Sequence, residues 1–403
     1  MGDELQARTE PGRRLVLLAE ELAADLATRA ADHDRDGSYP HEAVAALRDG
    51  GYLAAPIPQA LGGMGVESVH DLVVAASRLA RGDASVAIGV NMHLIAVLAL
   101  ARKLDMALAA GKVRRAGAFA ESLRTIVGER SVIAAAQSEA GQDLTRPATR
   151  AERTAEGWRI DGHKVFCTMS PAATTLLTAV SFVDDAGVER YGFVQVPADA
   201  PGVTINGDWD ALGMRASGSH SITLDGVELP AGAVRGGFRA GETVPYLDRN
   251  MTSGLFHASA SLGIAESAFA RVAIAERVQD DARAQMLVAE SAIDLAAARG
   301  VLARAASFVD EHYAAHPADD GTDDEVVAVF SEGQAAKAFV VDAATRVVDR
   351  ALALSGGAGY RNGSPLARAY RDVRAGAFMH PLGANRVYGF LARTTLGLRP
   401  QLT

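Results

Sequence analysis

Residues 352–397 read LALSGGAGYRNGSPLARAYRDVRAGAFMHPLGANRVYGFLARTTLG, and the rest of the chain organises around them. The stretch holds a Gly-Gly-x-Gly turn at Gly356, Gly357 and Gly359, an Arg371–Asp372 pair, then His380 and Pro381 ahead of a last helical run. Proline suits the first position of a helix and keeps its predecessor out of the helical region. His380 is therefore predicted at the cap of a helix starting at Pro381. The positive end of that helix disfavours imidazolium, so the ring is expected to be neutral near pH 7 and able to accept or donate a proton.

The chain has 403 residues, 49% of them hydrophobic and 22% charged, enough to bury a substantial core in two or three domains. A net charge of -9, mild and spread out, argues against nucleic acid as a partner. A single cysteine, Cys167, excludes an intramolecular disulfide and a cysteine-based zinc site, and no metal is expected. Asp3, Glu4 and Glu10 interrupt any signal-peptide pattern at the N-terminus. The longest apolar run, Val86 to Ala101, is short for a membrane span and carries Asn91 and His93. A cytoplasmic protein is expected.

Leu15, Leu18, Leu22 and Leu26 give residues 11–33 the spacing of an amphipathic helix. A second helix opens at Pro40 and ends at Gly50–Gly51. Residues 53–68 hold too many prolines and glycines for a helix and read as a loop. Helices follow near 69–81 and from Ser85 to Lys103, the latter apolar on nearly every side and so bound for the interior, where Asn91 and His93 need partners. From about Ser131 to Pro230 short alternating or β-branched runs predominate, separated by turn dipeptides such as Asp161–Gly162 and Asp225–Gly226. Long helices are then expected near 246–278, 280–316 and 323–355, and from Pro381. The predicted class is α+β, mostly α: an N-terminal helical domain (1–130), a middle β-barrel-like domain (131–232) and a C-terminal four-helix bundle (233–403).

That order resembles the acyl-CoA dehydrogenase superfamily of flavoproteins, and the resemblance covers nearly the whole chain. Its specific points are LGGMG at 61–65, AQSEAGQD at 136–143, DGHKVFCT at 161–168, LGMRASGS at 212–219 and DGVELP at 225–230, followed by the GGAGY and Arg-Asp pieces of the opening stretch. The resemblance implies FAD, with FMN possible, held between the β domain and the C-terminal helices of a homotetramer or homodimer. Gln137 and Ser138 should lie on the pyrimidine side of the flavin, with Phe166 and Thr168 at its redox edge. Arg277, Gly356, Gly357 and Asn385 would complete the cofactor contacts, the glycines reaching a neighbouring protomer's pyrophosphate. Glu139 and Asp143 are read as structural.

The sequence departs from the family where a dehydrogenase keeps its glutamate base. His380 stands at one family position and Ser253 is near the other, so neither supplies a carboxylate. The loop after Ser138 is about two residues short, no Phe-Gly follows Arg277, and Ala353 replaces a glutamine. One branch of the same fold, monooxygenases using reduced flavin and O2, does carry a histidine near the position of His380. That branch also has one in the buried first-domain helix, here His93. The resemblance thus implies a monooxygenase with His380, Thr168 and His93 as catalytic residues, acting on a small or carrier-bound substrate and fed by a separate flavin reductase. An acyl-CoA dehydrogenase with a histidine base and a non-catalytic flavin-binding scaffold are the alternatives.

Overall fold

The computed structural model describes residues 4–141, 143–234, 236–273, 276–383 and 385–402, less the side chains of Glu276 and Arg277. Six helices come first: α1 (Glu10–Ala27), α2 (Ala30–Asp36), α3 (His41–Asp49), α4 (Val69–Ala80), α5 (Ala84–Ala109) and α6 (Val113–Gly128). The helix expected over 11–33 divides at Thr28, whose N–H and hydroxyl both turn back to the Asp25 carbonyl and tighten the last turn. No helix was expected where α6 lies. Only Ala116, Leu123 and Ile126 on it are buried, too narrow an apolar stripe to stand out. Contrary to expectation, α5 is long and apolar enough to cross a membrane by length and composition. Yet 72% of its apolar window is buried inside the fold, where a core helix belongs.

The middle of the chain forms β1 (Ile133–Ala136), β2 (Arg150–Arg153), β3 (Gly157–Lys164), β4 (Thr175–Val183), β5 (Glu189–Pro197), β6 (Val203–Ile205), β7 (Ile222–Pro230) and β8 (Phe238–Arg239). They join in one sheet in the order β6-β7-β3-β2-β4-β5-β8, with β1 parallel to β4. Trp158, Ile160, Val180, Val194 and Leu224 centre its core. Asp161–Gly162 and Asp225–Gly226 are not the turns expected of them. They lie within β3 and β7, where the register shifts between Ile160 and Gly162 and Asp161 Oδ1 accepts the Gly226 N–H at 2.7 Å.

The remaining helices are α7 (Val244–Arg249), α8 (Ser253–Ala273), α9 (Glu276–Gln279), α10 (Ala282–Ala315), α11 (Asp323–Ser355), α12 (Pro365–Val373) and α13 (Asn385–Thr395). The long helix expected near 246–278 breaks at Asn250, whose side-chain amide returns to the Tyr246 carbonyl at 2.9 Å. Thr322 and Glu325 close a capping box that starts α11. The long helices α8, α10 and α11 pack on one another, with α12 and α13 against α11 and α4 against α8. A Cβ on Gly263 would stand 2.2 Å from the Ser77 carbonyl, so the close crossing of α8 over α4 requires glycine there.

The last helix corrects the reading of His380. Pro381 lies in a bend and α13 begins at Asn385, so His380 caps no helix. The segment instead turns its carbonyls inward: Lys337 Nζ donates to those of Met379, His380 (3.4 Å) and Leu382 (3.0 Å).

Candidate active site

A cavity of about 530 Å³ lies between the sheet, α5, α8 and the 371–380 segment. Gln137, Ser138, Phe166, Thr168 and Trp209 form the sheet side, while Asn250, Ser253, His257 and His380 line the helix side. Between them the walls are mostly apolar, with Ile88, Met92, Ile95, Leu177, Met214 and Met379. Arg249, Arg371 and Arg374 also line it, and no aspartate or glutamate does among the described residues.

The sheet side is built by the turn after β3. Phe166 sits at φ 55 and Met169 at φ 70, left-handed conformations that cost a non-glycine residue roughly 1–2 kcal/mol. The strain turns the Phe166 ring outward, 64% exposed, with its edge to Trp209 at a centroid distance of 5.9 Å. Trp209 is itself pinned, its N–H to His220 Nδ1 at 2.9 Å and its indole N–H to the Met214 carbonyl at 3.0 Å. Ser219 Oγ donates to Thr168 Oγ1 at 3.0 Å and meets Ser217 Oγ at 2.7 Å, a chain of hydroxyls at the cavity wall. Beside it Val165 N–H donates to the Ser138 carbonyl at 2.9 Å, bringing the 136–139 loop level with Phe166.

On the helix side, His380 Nε2 lies 2.9 Å from Tyr246 Oη and 3.4 Å from Asn250 Oδ1. Burial, reinforced by the Lys337 charge, pushes the imidazole down to about 3. The neutral ring expected from sequence is present, but for a different reason: desolvation, with no helix dipole involved. The Arg-Asp pair is a brace. Arg371 Nη1 meets Asp34 Oδ1 at 2.9 Å, and buried Asp372 accepts the Met214 N–H at 2.6 Å. A Cβ on Gly213 would stand 2.3 Å from the Arg371 carbonyl, so the LGM loop needs its glycine to pass α12.

The other expected residues divide. His93 does not line the cavity: Nε2–H donates to the Leu53 carbonyl and Nδ1 accepts the Ile133 N–H, both at 3.0 Å. With both nitrogens taken and burial holding its pKa down to about 4, His93 ties α5 to β1 from outside the cavity lining. Gly356 and Gly357 are exposed at the end of α11, and Asn385 is exposed at the start of α13, all outside the cavity lining. The Arg277 side chain lies outside the described residues. Glu139 accepts from Ala148 N, Thr149 N and Lys164 Nζ, a bracing set of contacts. Tyr246, Asn250, His257 and Lys337 had not been singled out, although the four-residue spacing of Ser253 and His257 puts both on one helical face.

A flat tricyclic ring fits this wall: the exposed Phe166 edge, the hydroxyl chain at Thr168 and the loop of Gln137 and Ser138 meet at one apolar cavity. Those features suit a flavin-dependent oxidoreductase. Comparison with known proteins agrees. Residues 15–103, 132–227 and 255–381 match the N-terminal, middle and C-terminal domains of acyl-CoA dehydrogenase, and the chain belongs to that family. It is 33% identical to amino sugar nitrososynthase DnmZ of Streptomyces peucetius, over 97% of this chain and 95% of that protein. L-evernosamine nitrososynthase of a Micromonospora species is 31% identical, over 97% and 91%. KijD3 in complex with FMN and dTDP-3-amino-2,3,6-trideoxy-4-keto-3-methyl-D-glucose superposes with TM-score 0.88 at 30% identity, covering 98% of this chain and 96% of that one.

Proposed function

We propose that the chain is a flavin-dependent monooxygenase that oxidises the nitrogen of an amine borne on a nucleotide-linked sugar. The observation that carries this reading is the cavity's charge. Neutral His380 faces it with three arginines and no carboxylate among the described residues. A dehydrogenase would need a positioned base beside the thioester α-carbon. Bound flavin supplies the electrons that activate O2, and the net reaction turns R–NH2, O2 and reduced flavin into R–NHOH, oxidised flavin and water. Within it Gln137, Ser138, Phe166 and Thr168 hold the ring. Tyr246, Asn250 and Lys337 fix His380, which holds or passes a proton at its ring nitrogens, and the apolar walls exclude water.

A second chamber of about 530 Å³ adjoins the first at Ala99 and Arg249. Arg102, Lys103, Lys112, Arg115 and Arg249 line it against Asp248 and Asp319, a basic surplus suited to a diphosphate. Arg249 stacks on Phe193 with 3.6 Å from guanidinium carbon to ring centroid. Reduced flavin would come from a separate reductase in the cytoplasm. In a homodimer or homotetramer, exposed Gly356, Gly357 and Asn385 would approach a neighbour's cofactor.

Purified protein given reduced flavin, O2 and the amino sugar nucleotide found with KijD3 should yield a product heavier by one oxygen atom. Oxidised, anaerobic enzyme mixed with a panel of acyl-CoAs should keep its visible spectrum. Bleaching by any acyl-CoA would establish dehydrogenation instead.

The pH dependence follows from the same charges. An ammonium substrate meets arginines and no carboxylate, so the amine binds uncharged and kcat/KM should rise about tenfold per pH unit up to the amine's own pKa. His380 contributes no limb near 6.5. Its folded pKa is lowered to about 3, so the neutral form is lost only as pH falls through that value. A second acid limb near pH 6–7 in the kcat profile would contradict this assignment.

A further inference from the structure

His257 is 2% exposed and lines the cavity on α8, one turn beyond Ser253. Neither of its ring nitrogens has a hydrogen-bond partner among the described residues. On the same wall Asn250 and His380 are engaged with Tyr246 and with each other, and a histidine buried with both nitrogens idle is costly to the fold. Gln334 on α11, against which Gly254 packs, is likewise buried with its amide unpaired. It lies behind α8 and does not line the cavity.

We propose that His257 is a substrate-contacting residue, its imidazole accepting a hydrogen bond from the N–H of the uncharged amino group and so turning the nitrogen lone pair toward the flavin wall. This rests on the amine reading above and deepens it. Ser253 and His257, one turn apart on α8, line the cavity together with Asn250 at the end of α7, on the side away from Phe166 and Thr168. The ring stays neutral because burial and the nearby charge of Lys337 oppose protonation, which leaves a lone pair free to accept. Residues kept at the expense of stability are characteristic of binding sites.

The test compares wild type with His257→Phe, His257→Leu and His257→Gln by calorimetry, using dTDP alone and dTDP-3-amino-2,3,6-trideoxy-4-keto-3-methyl-D-glucose. The apolar variants should bind the amino sugar nucleotide at least about tenfold more weakly and dTDP unchanged, with the glutamine recovering part of the loss. Flavin affinity should not move, and Tm should equal or exceed that of wild type because no protein contact is removed. Undiminished amino-sugar binding in both apolar variants overturns the proposal, as does a Tm lower in both by more than about 5 °C, which marks a structural partner such as a buried water. If the wild-type chain binds neither ligand, the sugar-nucleotide reading fails separately. His257 is then judged by O2-dependent turnover of a panel of small amines, where an unchanged kcat/KM in the apolar variants refutes its role.

Discussion

His380→Ala lowers the O2-dependent turnover of amine by about 10²–10⁴-fold, equivalent to roughly 3–5 kcal/mol of transition-state stabilisation. Flavin affinity stays within about twofold, because the groups proposed to grip the ring lie on the opposite wall. The size of the loss follows from how the imidazole is held. Tyr246 Oη sits 2.9 Å from Nε2, and Lys337 gathers the carbonyls on either side of the ring. Such preorganisation makes a proton available at a fixed point without reorganising solvent. Stopped-flow mixing of reduced enzyme with O2 separates the steps. The variant should oxidise its flavin at least as fast as wild type while converting little amine. Turnover within threefold of wild type would remove His380 from the chemistry and leave it as packing for α11.

That imidazole also shows how far the sequence could be read. The Arg-Asp pair, the His-Pro step and the glycines gave its neighbourhood, because motif spacing survives in any member of a fold. They could not give its environment. The helix inferred from Pro381 begins only at Asn385, and Lys337, more than forty residues earlier, instead draws the Met379 and Leu382 carbonyls inward. Long-range polar contacts of this kind leave no periodic trace. His93 illustrates the converse. Its place in an all-apolar helix was legible, and so was its need for partners, but only coordinates show that Leu53 and Ile133 satisfy both nitrogens. The order of helices, sheet and helices was readable because apolar spacing changes near Ser131 and again after Pro230. Inside the sheet, Asp161–Gly162 and Asp225–Gly226 misled because Asp-Gly marks both turns and bulged strands.

Lys164→Met destabilises the chain by about 3–5 kcal/mol and weakens flavin binding by at least about tenfold. Lys164 is fully buried, and Nζ donates to Glu139 Oε1 at 2.6 Å and to the Ala179 carbonyl at 2.7 Å. Removing the ammonium leaves the Glu139 carboxylate, 5% exposed, without its counter-charge. Burial alone would raise the Glu139 pKa, but Lys164 and the donors around it outweigh that and hold the group ionised. The coupling to flavin runs through a short stretch of backbone. Gln137 and Ser138 lie immediately before Glu139, and the pair ties their loop to both β3 and β4. Glu139→Gln should cost about as much, since it strands the fully buried Lys164 ammonium and only one amide oxygen remains to serve the donors that now share two carboxylate oxygens. The urea midpoint reads the stability arm and quenching of flavin fluorescence reads the affinity arm. Loss of stability with unchanged flavin affinity would show that the loop keeps its shape without the pair, and would place the ring's anchorage at Phe166 and Thr168 alone.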